Sequence, residues 1–384
     1  MRYKFIFLLF AGLSFAQQKE IKVVDAQTGE AIAKARLTLA DKILYTNDDG
    51  KVLLPDNTSG VEVFAVSYQK ENIKSYIPLV KLKPLYKDIE GVNIVNIDVK
   101  KIFEEVDKNY SCLYYNKPSV YDILYKQKNI SDHKINLLLV ADAKFWTDSN
   151  IYNYKYAFRR DYDPFVQIRL NNIRYFQTTD DNNNFFSGST LDQSKEFIAS
   201  MFFNFELKRL ISFINVKETK CTGWLVNEKE DEQIIQYKIN LPTGYRLKGS
   251  IVYNKKDKVI THCEVNYISD LLGTVKRKNE KGIEYDFHPG NGVIIFDFYK
   301  KDNKYIPTQA NTYGDYYVIF NGQKHEGAFH REITFQTFKE ADNKGLTNRI
   351  DFKKKIWENI PDNEKKDSDI LLSEEERRFI DENK

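Results

Sequence analysis

Five histidines and three cysteines are the side chains best suited to chemistry in this sequence of 384 residues. The histidines are His133, His262, His288, His325 and His330. The run His325-Glu326-Gly327-Ala328-Phe329-His330 comes near a zinc-protease helix, which needs His-Glu-x-x-His so that both imidazoles sit at i and i+4 on one face. Here the second histidine is at i+5, Gly327 interrupts the run, and the surroundings read as strand. An odd spacing in a strand sends two side chains to opposite faces. His262-Cys263-Glu264 falls one residue short of a His-x-x-Glu metal pattern. His288 follows Asp286 in an expected loop before Pro289-Gly290. Such a pair suits general-base chemistry, but no placed nucleophile accompanies it. Gly188-Ser189-Thr190 lacks the Gly-x-Ser-x-Gly frame of a nucleophile elbow, and no Gly-rich phosphate loop is present. The carboxylates of Asp48 and Asp49, and the run Asp180-Asp181-Asn182-Asn183-Asn184, read as a turn and a solvated loop rather than cation sites. The sequence thus assigns no catalytic residue, no metal ligand and no cofactor, and leaves the ligand-binding residues unknown.

The cysteines Cys112, Cys221 and Cys263 allow one internal disulfide at most. Cys221 and Cys263 lie in strand-like runs, which leaves two readings open: a bond between them, or buried free thiols.

The elements that must position these residues begin with an export signal. Arg2 and Lys4 precede the apolar run Phe5 to Phe15, and Ser14-Phe15-Ala16 places small residues for cleavage before Gln17. No cysteine follows that site to carry a lipid. An uncleaved anchor fits the short apolar run less well. Removing two cations takes the formal charge from +3 to +1. A nearly neutral chain with mixed charges has no electrostatic footprint for nucleic acid, and no later apolar run reaches membrane-spanning length.

After the signal, short β-prone runs alternate with turns from Ile21 to Tyr68, as a small antiparallel sandwich requires. Expected strands include Ala31–Leu39, Ile73–Val80 and Val92–Val95. Asp98 suits the cap of a helix whose Val99, Ile102, Phe103 and Val106 fall on one face. Strands follow over Val120–Lys126 and Lys134–Phe145, with polar loops at Asn171-Asn172 and beyond Thr178. Thr190-Leu191-Asp192-Gln193 fits a capping box opening one long helix, Leu191 to Ile214, with an apolar face of Phe197, Ile198, Met201, Phe202 and Phe205. A meander of hairpins then runs to Phe338, with Asn321-Gly322 as its clearest turn. Lys353 to Trp357 is placed to dock back on the sheet, and Ser373-Glu374-Glu375-Glu376 fits a capping box for a short terminal helix.

The run Lys22-Val23-Val24-Asp25-Ala26-Gln27-Thr28-Gly29-Glu30-Ala31 resembles the opening of carboxypeptidase-regulatory-like domains, in which a strand leads into Asp-x-x-Thr-Gly-Glu-Pro. Thr46-Asn47-Asp48-Asp49-Gly50-Lys51-Val52 resembles their following hairpin, and Val63-Phe64-Ala65-Val66-Ser67-Tyr68 a later strand. Ala31 stands where proline is common, and Gln69-Lys70 replaces Gly-Tyr. The resemblance implies a seven-stranded transthyretin-like accessory sandwich and no peptidase activity; His262-Cys263-Glu264 does not supply that catalytic centre. The order of elements after it is similar to envelope proteins in which such a domain precedes an uncharacterised β-rich domain. The hairpin pattern is also similar to periplasmic lipoprotein-carrier folds, an analogy of fold alone.

These readings give a mainly β protein: a signal peptide over 1–16, a sandwich over 17–96, an α+β domain with a curved antiparallel sheet and a packed helix over 97–345, and a charged tail over 346–384. The expected function is that of a non-enzymatic envelope protein of a Gram-negative bacterium, in the periplasm or at the periplasmic face of the outer membrane. Its partner is an unidentified envelope protein, glycan or lipid. The alternatives are lipid or lipoprotein handling, with the Phe-rich helix lining an apolar cavity, and a hydrolase using His288 or His325.

Overall fold

The structure, a computed structural model, describes residues 19–55, 58–85, 95–179, 190–279, 282–360 and 371–382, with the backbone alone over 190–194. The chain divides into two compact units, Met1–Ala40 with Tyr45–Pro84, and Asp41–Leu44 with Leu85–Lys384.

Seven strands make up the first stretch: β1 (Lys19–Asp25), β2 (Arg36–Thr38), β3 (Ile43–Tyr45, straddling the division), β4 (Lys51–Leu54), β5 (Val61–Phe64), β6 (Glu71–Ile73) and β7 (Leu79–Leu82). β1 lies between an antiparallel β4 and a parallel β7, and β5 lies between β2 and β6. Alternation buries Ile21, Val23, Val52, Leu54, Val80 and Leu82 from one sheet and Leu37, Val61, Val63 and Ile73 from the other. The motif residues are turn-formers. Asp25 Oδ1 accepts from the backbone N–H groups of Gln27 and Thr28 at 2.6 and 3.0 Å, and its Oδ2 accepts from the Tyr68 hydroxyl at 2.9 Å. Gly50 takes φ +72° where a Cβ would meet Val23 O at 2.6 Å. Asn47 holds the second turn: its Oδ1 accepts from the N–H groups of Asp49 and Lys51. The expected strand Ile73–Val80 is two strands, because Pro78 fixes its own φ and has no N–H to give a ladder. Of the expected strand Val92–Val95 only Val95 is described; its carbonyl accepts from Leu225 N.

The second unit opens with α1 (Val99–Lys108) and α2 (Tyr110–Leu113). Asp98 caps α1 through Lys101 N at 3.0 Å, and Val99, Ile102, Phe103 and Val106 are its buried residues, as the spacing requires. Then follow β8 (Ser119–Ser131), β9 (Lys134–Thr147), α3 (Tyr154–Arg159), β10 (Val166–Thr178), α4 (Thr190–Ala199), α5 (Phe203–Ile214), β11 (Lys220–Lys229), β12 (Glu232–Asn240), β13 (Arg246–Asn254), β14 (Val259–Ile268), β15 (Val275–Lys278), β16 (Glu284–Lys301), β17 (Lys304–Phe320), β18 (Gln323–Phe335), β19 (Lys339–Glu340) and α6 (Glu374–Glu382). One antiparallel sheet runs β10-β9-β8-β18-β17-β16-β14-β13-β12-β11, with β15 on β16 and β19 on β8.

Asn171 and Asn172 lie inside β10, not in a loop. The strand bulges there, and Asp142 on β9 holds Asn172 and, through two bonds of 2.7 Å, Arg174. His288 lies inside β16 rather than in a loop, just before the Pro289–Gly292 bulge. The long helix expected over Leu191–Ile214 is two helices. The chain turns at Ser200 and Met201, and Phe202 takes an extended conformation at φ −114°, ψ 110°. Phe197, Ile198, Ala199, Met201, Phe202, Phe203, Leu207 and Leu210 are all buried. A single straight helix would point such a run around its whole circumference, and the break lets α4 and α5 each turn an apolar side to the sheet. The side chains of the capping box at Thr190–Gln193 lie outside the described ones.

The sheet curls around α5. Phe202, at the start of α5, touches Phe165 beside β10 at 5.9 Å between centroids, and Phe213, near its end, touches Tyr245 beside β13 at 5.9 Å. A helix of this length spans about 18 Å, while the strand spacings from β10 to β13 add to about 34 Å in a flat sheet. The space between is filled with rings. Phe203 contacts Phe296 and Phe298 at 5.4 Å and Tyr114 at 5.8 Å; Tyr114 also stacks on Tyr110 at 4.3 Å and donates to Ile260 O at 2.7 Å. Gly249 lets Tyr237 lie across its strand, since a Cβ there would meet the Tyr237 hydroxyl at 2.5 Å and Glu264 O at 2.0 Å.

The tail docks as expected near Trp357. Ile350, Phe352 and Ile356 are buried, with Phe352 5.9 Å from Tyr162 and Ile350 N donating to Ile168 O at 2.8 Å. α6 has the capping box its sequence announces: Glu376 N donates to Ser373 Oγ at 3.4 Å, and Ser373 N to Glu376 Oε2 at 3.0 Å. Leu372 and Phe379 pack on Leu138, Val140 and Tyr175. The fully buried Glu376 is paired with Lys126, and Glu375 reaches Lys128 at 2.6 Å.

Replacing Phe203 with alanine is expected to cost about 3–5 kcal/mol in urea unfolding; a loss below about 1 kcal/mol would show that the rings do not form one core. The buried tyrosines also set the alkaline limit. Burial pushes Tyr125 up to about 12 and Tyr110, Tyr114, Tyr121 and Tyr237 higher still. With folded values above unfolded ones, the stability is fully present below about pH 10 and falls as pH rises, by about 1.4 kcal/mol per pH unit for each such tyrosine. Urea midpoints should therefore drop steeply between pH 10 and 12, and a flat profile would contradict this burial.

Candidate functional site

The structure gathers chemistry-bearing residues in two places on the large sheet, on opposite faces. The first is a lateral row across β14, β16 and β17, where His262, Asp297 and Gln309 are directly opposed. Alternation puts the row on the face away from Cys263, Phe296 and Ala310, which belong to the ring-filled core. His262 Nδ1 donates to Asp297 Oδ1 at 2.5 Å, and the three residues are 5%, 5% and 1% exposed. This bond fixes the tautomer and leaves His262 Nε2 with no described partner; both amide atoms of Gln309 are likewise without one. A carboxylate-oriented imidazole with a bare Nε2 is the geometry of a general base. Among the described residues no hydroxyl or thiol lies within hydrogen-bonding reach of that nitrogen, so they supply the orienting half of a catalytic arrangement.

The second place is the seam between α5 and the sheet. Glu206, 2% exposed, accepts from the Tyr267 hydroxyl and is paired with Arg209 one turn along the helix. Arg209 lies over the Tyr267 ring at 4.7 Å and the Phe205 ring at 5.8 Å. Burial, and then the Glu206 charge, push the Tyr267 hydroxyl far above its usual range, so it stays a donor. Asn204 accepts from Tyr152 N at 2.8 Å. These groups bind one another and fasten the helix.

The other residues singled out by sequence are dispersed. His288 donates Nε2–H to Leu272 O at 2.8 Å and stacks flat on Tyr317 at 4.5 Å, so its bond goes to a carbonyl rather than to Asp286. His325 and His330 lie on β18 five residues apart and hence on opposite faces; His325 is beside Asp132 at 3.7 Å and His330 meets the Tyr313 ring edge-on at 5.1 Å. His133, mostly exposed, pairs with Glu326 at 3.3 Å. Among the described residues no group of three or more His, Cys, Asp or Glu is placed to hold a metal. Cys112, Cys221 and Cys263 are free thiols. β12 and β13 separate Cys221 on β11 from Cys263 on β14, about 14 Å across the sheet, which rules out the bond left open from sequence. Burial raises the Cys263 thiol well above its usual range, which suits an unreactive core residue. Asp180–Asn184 and Gly188-Ser189 lie outside the described residues.

Sequence reasoning placed His262 beside Cys263 and Glu264 and missed Asp297, Gln309 and Glu206. A signal for two of them exists: Asp297 stands in Ile294-Ile295-Phe296-Asp297-Phe298, and Glu206 in Phe203-Asn204-Phe205-Glu206-Leu207. A lone carboxylate inside such a run is buried only with a partner. The pairing of His262 with Asp297 is testable by a double-mutant cycle in urea. His262→Ala and Asp297→Ala should each cost about 1–3 kcal/mol, with a coupling of about 1 kcal/mol or more; strictly additive losses would contradict the pair.

No family model and no curated protein matches the chain. A solved structure of a protein of unknown function from Bacteroides fragilis, described provisionally as membrane-associated, is similar over 84% of this chain and 98% of its own, at 9% identity and a TM-score of 0.15. That score is too low to support an argument about fold or role.

Proposed function

We propose that this chain is an exported, non-enzymatic binding protein of the cell envelope, and that its β-rich unit meets its protein or glycan partner on outward surfaces instead of enclosing a ligand. The observation that carries this reading is the closed seam: Phe203, Tyr110, Tyr114, Phe296 and Phe298 stand ring against ring between α5 and the sheet. The apolar face of the helix is thereby used in packing. The resemblance of residues 17–96 to regulatory-like accessory domains supports the same reading, as does the signal-like run before Gln17.

Lipid or lipoprotein handling is the second reading, favoured by a sheet curled around a helix. It requires an apolar space between the two, where the rings now meet. A dansyl-labelled long-chain fatty acid discriminates between them. The mature chain should show no saturable fluorescence increase, whereas stoichiometric uptake would contradict the first reading and favour the second. Fractionation of expressing cells should find the polypeptide in the envelope fraction with Gln17 as its first residue. An intact N-terminus in the cytosol would contradict export.

A further inference from the structure

The loop between β9 and β10 carries the most exposed large apolar side chain described in the structure. Phe158 is 90% exposed, and Tyr154, one turn earlier on α3, is 47% exposed. Helical geometry explains which residues share this surface. Tyr154 and Phe158 are i and i+4, Lys155 and Arg159 are the next i, i+4 pair around the helix, and together they sweep about 140° of its circumference. All four are exposed, while the remaining arc holds Ala157, 4% exposed, and Tyr156, half-buried and stacked on Phe165 at 6.2 Å. Arg160, also exposed, ends the helix in the left-handed conformation at φ 56°. The knuckle is fixed at its base: Asn153 Oδ1 accepts from Tyr156 N at 3.3 Å, and the Tyr154 ring stacks on Phe205 at 6.0 Å and meets Tyr152 at 5.0 Å. The acidic neighbours are the exposed Asp161, the half-buried Asp163, bound to Arg349 at 2.9 Å, and Asp107, whose charge reaches the Tyr154 hydroxyl and which is paired with Lys208 at 3.9 Å. With two of the three so paired, Lys155, Arg159 and Arg160 outweigh them beside the apolar tip.

We propose that this knuckle docks the protein on a bilayer surface carrying anionic headgroups. Phe158 enters the interface, Tyr154 lies at headgroup level with its hydroxyl in the wet layer, and Lys155, Arg159 and Arg160 meet the phosphates. An aromatic residue beside a basic arc has the chemistry of an interfacial anchor. A protein partner that accepted the phenyl ring would need an apolar pocket ringed with acid; an anionic bilayer offers both at once. Each cation adds about fivefold in affinity near such a surface, so binding through three cations and one ring is weak, reversible and salt-sensitive. The docking is additional to the partner binding proposed above and does not depend on it.

The test is co-sedimentation of the mature chain with vesicles of pure phosphatidylcholine or of equimolar phosphatidylcholine and phosphatidylglycerol, at low and at physiological salt. The wild type should pellet with the anionic vesicles and less so as salt rises, and should stay in solution with phosphatidylcholine. Phe158→Ser should weaken binding about tenfold, and Lys155→Glu with Arg159→Glu by more than about twentyfold. Both variants change exposed side chains, and unchanged thermal unfolding will show that they fold. Failure of the wild type to pellet, or equal pelleting of all three proteins, overturns the proposal. Either result leaves the fatty-acid titration, and the reading it tests, untouched.

Discussion

The contact between Phe203 and the rings around it is the constraint on which the second unit depends. α5 is short relative to the sheet it serves, and a flat sheet would leave the outer strands with no apolar cover. The sheet therefore curls until Phe165 beside β10 and Tyr245 beside β13 both reach the helix. Tyr114 joins this cluster from the other side, donating its hydroxyl to Ile260 O so that the ring can be buried without an orphaned polar atom. The break at Ser200–Phe202 follows from the same demand, since two helices with separate apolar sides fit a curled surface better than one long rod.

Within this frame the buried charges are answered one by one. Asp297 faces His262, Glu206 faces Arg209 and Tyr267, and Glu376 faces Lys126. Such pairs contribute little net stability, because desolvation offsets much of the attraction. They select the register and the docking geometry, since a slip of one residue would strand a carboxylate in the core. That role explains why β16 tolerates an aspartate between two phenylalanines, and why the terminal helix returns to the sheet by way of Lys126 and Lys128.

The fold was legible where one local rule decided the outcome. Asp98 and the i, i+3, i+4, i+7 spacing after it specified α1; Asn321-Gly322 specified a hairpin; Ser373 with Glu376 specified the terminal cap. Legibility failed where tertiary demands overrode local pattern. Asn171 and Asn172 have loop chemistry and still sit in a strand, because Asp142 and a bulge accommodate them. The apolar run through Met201 and Phe202 reads as helix and breaks, because the partner surface is curved. The candidate row was illegible for a different reason. His262, Asp297 and Gln309 come from three strands far apart in sequence, and only the register across β14, β16 and β17 brings them together.

The central claim is that α5 and the sheet are one closed core, and native-state hydrogen exchange measures this most directly. Amides of α5 should exchange together with those of β14, β16 and β17, at the slow rate set by global unfolding. Exchange of α5 through a separate, much lower-energy opening while the strands stay protected would show a helix lid over a ligand space, and would contradict the account.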